Sequence, residues 1–190
     1  GTGGLVKRGT GTLSLTGNNT YTGSTSINSG SISLGSGGAA SMLASSAIQL
    51  GASTSLIFNT STNLSVADGL ISGSGQLVQR GSGNLTFNGA NSYTGGTLLE
   101  NGTVLLSANA AVSSALGSGS VQVTGNTTLR TVASSTVVQR TLNNAFTLQS
   151  GATLTVDAAS TNGTLSLNGV INGSGHLAIT SAATTAVIIT

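Results

Sequence analysis

Leu77-Val78-Gln79-Arg80-Gly81-Ser82-Gly83-Asn84-Leu85-Thr86-Phe87 restates, class for class, Leu5-Val6-Lys7-Arg8-Gly9-Thr10-Gly11-Thr12-Leu13-Ser14-Leu15. The offset is a constant 72, and the register runs on without a gap. Gly17 falls on Gly89, Asn19 on Asn91, Tyr21 on Tyr93, Gly23 on Gly95, Gly30 on Gly102 and Leu34 on Leu106. A third, partial copy follows at an offset of 100: Gly69-Leu70-Ile71-Ser72-Gly73-Ser74-Gly75-Gln76-Leu77 aligns with Gly169-Val170-Ile171-Asn172-Gly173-Ser174-Gly175-His176-Leu177. Unequal offsets mean that spacers vary in length while the strand motifs do not, which is how a solenoid behaves.

Between these landmarks, apolar residues alternate with polar ones in short runs such as Ile48-Gln49-Leu50 and Val121-Gln122-Val123, bounded by Gly, Asn and Ser. Period-two alternation of this kind predicts half-buried strands. Parallel strands need a long return path, here supplied by the other strands of the same coil. The fold expected is all-β: a right-handed single-stranded parallel β-helix of roughly eight coils of about 24 residues, each stacked about 4.8 Å above the last. No six-residue period is present, which disfavours the left-handed hexapeptide helix. Three coils of that length account for the offset of 72, so residues 72 apart, Tyr21 and Tyr93 among them, are expected on one face.

Composition narrows the function. Charged residues make up only 4% of the chain, with Pro and Cys absent and Gly at 29 positions, while 37% of residues are hydrophobic. That apolar content, gathered into strands, separates the chain from disordered low-complexity sequence. Five cations against three acids leave a net charge of +2. They form no basic stripe able to neutralise a run of phosphates, so nucleic-acid binding is not expected. No apolar run reaches the roughly 18–20 residues of a membrane-spanning helix. Gly1 opens in the middle of the repeat pattern, so residues 1–190 read as a single β-solenoid segment, a fragment of a longer chain, with copies at about 4–34 and 75–106 and a partial one from 169.

The two long copies resemble the autotransporter-associated β-strand repeat of type V secretion passengers. The resemblance is carried by Gly9-Thr10-Gly11-Thr12-Leu13-Ser14-Leu15-Thr16-Gly17-Asn18-Asn19-Thr20-Tyr21-Thr22-Gly23-Ser24-Thr25 and by Gly81 to Thr97. The family pattern is a G-x-G-x-L-x-L run, then N-x-Y-T-G-G-T and an apolar-Gly-apolar tail. It implies a stiff extracellular or cell-surface rod in Gram-negative bacteria, delivered by an outer-membrane barrel elsewhere in the parent chain. No barrel pattern of ten-residue alternating strands with aromatic girdles occurs in these residues.

Candidate sites are few. His176, the one histidine, shares its repeat position with Gln76 and Gly4, a slot more consistent with an outward strand position than with a catalytic one. Asp68, Glu100 and Asp157 are spaced so that they do not stack into an acid pair. They also lack ligand spacing for zinc or calcium. Gly81-Ser82-Gly83 and Gly173-Ser174-Gly175 fit no phosphate loop. No catalytic, cofactor or metal site is therefore expected. Tyr21 and Tyr93 are candidate surface contacts, or else corner residues that hydrogen-bond the turn. Arg8 and Arg80 are expected to cap turn carbonyls, and Phe58, Phe87 and Phe146 to fill the core.

Three functions follow: a structural spine; an adhesin or self-associating surface touching host or bacterial cells; and a β-helix hydrolase fragment with chemistry on the variable loops 35–47 and 107–120. Those loops hold no acid or base, which places the hydrolase last.

Overall fold

The computed structural model describes residues 1–38, 45–107, 112–133, 138–158, 163–181 and 185–190. Every strand pairing among them is parallel. Three faces wrap one apolar interior. Face I comprises Leu5–Lys7, Thr25–Ile27, Ile48–Leu50, Ile71–Gly73 and Ser92–Tyr93. Face II comprises Thr12–Leu15, Ser31–Leu34, Ser55–Phe58, Gln76–Gln79, Thr97–Leu99, Val121–Val123, Phe146–Leu148 and Ile171–Gly173. Face III comprises Leu64–Val66, Asn84–Phe87, Gly102–Leu106, Thr127–Thr131, Thr153–Ala158 and His176–Ser181.

Face I is interrupted once. After Tyr93 a short 3-10 turn, Val112–Ser114, takes the strand's place. Ser114 accepts from the Asn91 amide at 3.0 Å, and the Ser118 amide donates to Tyr93 at 3.0 Å. Val138–Leu142 packs on that turn and begins a second sheet, continued by Gly163–Leu167 and Thr185–Ile189.

The alternation read from the sequence is the alternation of burial. Ile48-Gln49-Leu50 and Val121-Gln122-Val123 are both buried–exposed–buried, since successive side chains leave a strand on opposite sides. Inward residues stack rung on rung: Ile32, Leu56 and Leu77 form one such column on face II, and all three are buried. Burying each such side chain contributes about 1.5–3 kcal/mol. Phe58, Phe87 and Phe146 lie in this interior. Leu85 is buried, and Leu13 packs against the core from the first rung of face II.

Face II sets the pitch. Its register runs Leu13, Ile32, Leu56, Leu77, Thr97, Val121, Phe146 and Ile171, so seven coils join eight rungs. The coils are close to the length expected, but they are not uniform. On this face the coil from Leu13 to Ile32 is the shortest, and those from Val121 to Phe146 and on to Ile171 are the longest. Short coils lie inside the two repeat copies, where Leu5 pairs with Thr25, Leu77 with Thr97, Leu13 with Ile32 and Leu85 with Val104.

This unevenness corrects one expectation. Positions related by the offset of 72 do not share a face. Leu5 leads through Thr25 and Ile48 to Ile71 in three coils of face I, so three coils fall short of the offset. The remainder carries the chain round a corner to Leu77 on face II. The offset of 100 is built the same way. Four coils of face II lead from Leu77 to Ile171, and the next corner brings the chain to Leu177 on face III. Successive copies therefore begin on faces I, II and III in turn.

Candidate functional site

The repeat motif closes a corner. In N-x-Y-T-G-G-T the tyrosine and the last threonine stand four positions apart, and their hydroxyls meet: Tyr21 with Thr25 at 2.8 Å, Tyr93 with Thr97 at 2.7 Å. Thr25 and Thr97 point inward, in positions that other coils fill with Ile48 or Val121. A buried hydroxyl without a partner is costly, so the tyrosine makes this threonine tolerable. Thr97 also donates to the Leu116 carbonyl at 3.2 Å.

Tyr93 is 0% exposed, because the backbone of Gly117 lies against its ring. Burial raises its phenol pKa, a shift that the Thr97 hydrogen bond partly offsets. Of the two tyrosines named as surface contacts, Tyr93 thus offers no surface to a partner, while Tyr21 is half-buried. Asn91, two residues before Tyr93, accepts from the Ile71 amide of the coil before and donates to the Ala115 carbonyl of the coil after. Its amide replaces ladder bonds that the corner would otherwise lose.

The turn carbonyls are capped by a residue that the sequence did not single out. Lys7 Nζ donates to the carbonyls of Arg8, Gly9 and Ser29. Gln79, its counterpart in the second copy, donates from Nε2 to Gly81 at 2.8 Å and Gly83 at 3.2 Å. Arg80 instead pairs across one rung with Glu100, through Nε at 2.5 Å and Nη2 at 3.0 Å. The hydrogen bond to Glu100 raises the pKa of its guanidinium, against a smaller lowering by burial. In the first copy Asn28 stands where Glu100 does, so Arg8 has no carboxylate at that position. The expectation that Arg8 and Arg80 cap the turn is corrected accordingly: the capping side chain is the one before, which points inward at the corner.

Arg130 and Asp157 form a second cross-rung pair at 2.6 Å on face III, where they are register partners. Asp68 is exposed beside Gly89. The three acids thus stand apart. Among the described residues, no group of three or more His, Cys, Asp or Glu gathers to hold a metal ion. His176 is exposed at the start of the last strand of face III, in register with Thr153.

Of the variable loops, residues 39–44 and 108–111 lie outside the described residues. The described part of the second loop lines a shallow groove of Ser113, Ser114, Gly117, Ser118, Asn143 and Asn144. Asn144 is tied down there, its amide donating to Gly117 at 3.0 Å and to Gly119 at 2.7 Å. The groove presents small neutral polar groups and no acid, base or activated nucleophile.

No helix among the described residues is long and apolar enough to cross a membrane. The Passenger-associated-transport-repeat family matches twice, at residues 5–34 and 77–106, the two short-coil copies with their tyrosine corners. An "Adhesin BmaC autotransporter" of Brucella suis biovar 1 (strain 1330) is 37% identical over 134 residues, covering 55% of this chain and 4% of that protein. The chain therefore spans a small fraction of the length of this relative. No solved structure matches. Two matched repeats, a relative named as an autotransporter and a parallel solenoid make the chain similar to autotransporter passengers, a likeness that implies export to the cell surface or the extracellular space.

Proposed function

We propose that the chain is a non-enzymatic spine: a length of surface rod that holds other parts of its parent protein away from the cell. The observation that carries this reading is the unbroken stack of face II, eight parallel rungs with an apolar interior. Beside it stand ionic groups that pair across rungs instead of gathering in a cleft. A solenoid of this kind supplies stiffness at low sequence cost, since each coil is stabilised by its neighbours. Residues 1–190 act as one segment of that rod, and the outer-membrane barrel belongs elsewhere in the parent chain. The test is deletion of whole coils from the parent passenger. A spine loses reach in proportion to the coils removed and keeps the activity of its distal parts. Loss of a catalytic activity on deleting this segment alone contradicts the reading.

A second reading is favoured by the relative's printed name, which calls that protein an adhesin. In this reading the walls of the rod make the contact themselves, to another cell or to a second rod. A net charge of only +2 over 190 residues leaves little repulsion between like rods. Sedimentation at rising concentration separates the two readings, because a spine stays monomeric and a self-associating wall does not.

A further inference from the structure

We propose that the Asn101–Gly102 step is a site of spontaneous deamidation in the folded chain, singled out by the geometry of the repeat corner. Gly102 has φ of +79°, and a Cβ placed there would collide with the Gly81 carbonyl oxygen and lie 2.8 Å from that of Gly83. The position must therefore be glycine, and glycine adds no side chain to obstruct ring closure. The residue before it is an exposed asparagine outside any strand, whose Oδ1 accepts from the Gly102 amide at 2.8 Å. The corner thus holds an electrophilic carbonyl group against the nitrogen that attacks it.

The reaction needs only water. The Gly102 nitrogen gives up its proton to hydroxide and bonds to Asn101 Cγ. The Cγ–Nδ2 bond breaks, and ammonia leaves with a proton taken from water. The resulting five-membered succinimide is hydrolysed by a second water at either carbonyl, giving Asp or isoaspartate at position 101. Nothing is oxidised or reduced.

Other Asn–Gly steps are less well placed. Gly89, after Asn88, lies against the Asp68 carboxylate, whose charge opposes the anionic intermediate. At Asn168 the side-chain carbonyl accepts from the Thr190 hydroxyl at 3.3 Å instead of from the amide of Gly169. Asn172 sits within Ile171–Gly173, where the pleat sends the side chain away from the plane that holds the next amide. Asn162–Gly163 falls partly outside the described residues. At position 101 the product puts a second carboxylate beside Glu100, competing for Arg80. Its isoaspartyl form also lengthens the main chain just before the strand Gly102–Leu106.

The folded 190-residue chain, aged in mildly alkaline buffer and mapped by peptide mass spectrometry with isoaspartate-specific methylation, tests this. Position 101 is expected to convert at least about tenfold faster than position 172, a positional advantage of the kind that proximity provides. That preference should collapse when the same chain is aged in urea. Equal rates at 101 and 172 in the folded chain, or faster conversion at 88, 168 or 172, overturn the proposal. So does a preference for 101 that persists in urea, because it then owes nothing to the fold.

Discussion

The Tyr93 hydroxyl meets the Thr97 hydroxyl at 2.7 Å inside the solenoid, with neither residue exposed to solvent. The first repeat makes the same bond between Tyr21 and Thr25 on a different face. The pair therefore belongs to the repeat and not to one side of the rod. Tyr93→Phe is expected to cost about 1 kcal/mol by loss of a buried hydrogen bond. Tyr21→Phe, at a half-exposed corner, is expected to cost less. Urea denaturation of the two variants measures the difference.

The same tyrosine sets an alkaline limit. Its pKa is raised in the folded chain, so the folded state keeps a proton that the unfolded state gives up near pH 10. The contribution is complete below that pH and is lost as pH rises above it, at up to about 1.4 kcal/mol per unit. Melting temperature followed through the alkaline range should fall in the native chain. The fall should be shallower in Tyr93→Phe.

The buried guanidinium should outweigh the exposed ones. Arg140 is 1% exposed and bridges faces, donating from Nε to the Ser107 carbonyl at 2.7 Å and from Nη2 to the Val132 carbonyl at 2.9 Å. Its Nη1 has no hydrogen-bond partner among the described residues, and burial lowers its pKa. Arg140→Ala leaves two carbonyls unmet and a void behind, an expected loss of about 3 kcal/mol. Glu100→Gln breaks a half-exposed surface pair and is expected to cost about 1 kcal/mol or less. Parallel denaturant titrations give the ranking.

Close approach of successive coils makes glycine position-specific. Gly102→Ala meets both a left-handed φ and the carbonyls of Gly81 and Gly83, and is expected to destabilise by about 2 kcal/mol or more. At Gly11 a Cβ meets nothing within 4 Å, and Ala there should stay within about 0.5 kcal/mol of native. Similar losses at the two positions contradict the stacking described.

Much of this architecture is legible in the sequence. Leu13 and Leu85 announce the strands by alternation, and the doubled motif announces a solenoid. The turn from face to face is not legible, because an offset of 72 is naturally divided into equal coils. These coils are unequal, the one from Leu13 to Ile32 being shorter than the one from Val121 to Phe146. The internal pairing of Leu5 with Thr25 would have revealed the short coil. The sequence hides that pairing, because a threonine in an inward column reads as polar without its tyrosine partner. Lys7 and Gln79 match only as polar residues, and their common capping role is visible only in the geometry. Arg80 and Glu100 are separated by one short coil, a spacing that carries meaning only once coil length is known. Leu85→Asp should unfold the rod and His176→Ala leave its melt unchanged, since one faces the core and the other solvent.

Cysteine pairs test the central claim, coil lying on coil in parallel register. Gln122 and Thr147 are outward register partners on adjacent rungs of face II, with Asn172 one rung further, and the chain has no cysteine of its own. Adjacent rungs lie about 4.8 Å apart, within disulfide reach, and alternate rungs about 10 Å apart, beyond it. Gln122→Cys with Thr147→Cys should oxidise to an intramolecular disulfide in the folded chain, and Gln122→Cys with Asn172→Cys should not. A bond in the second pair, or none in the first, contradicts the solenoid.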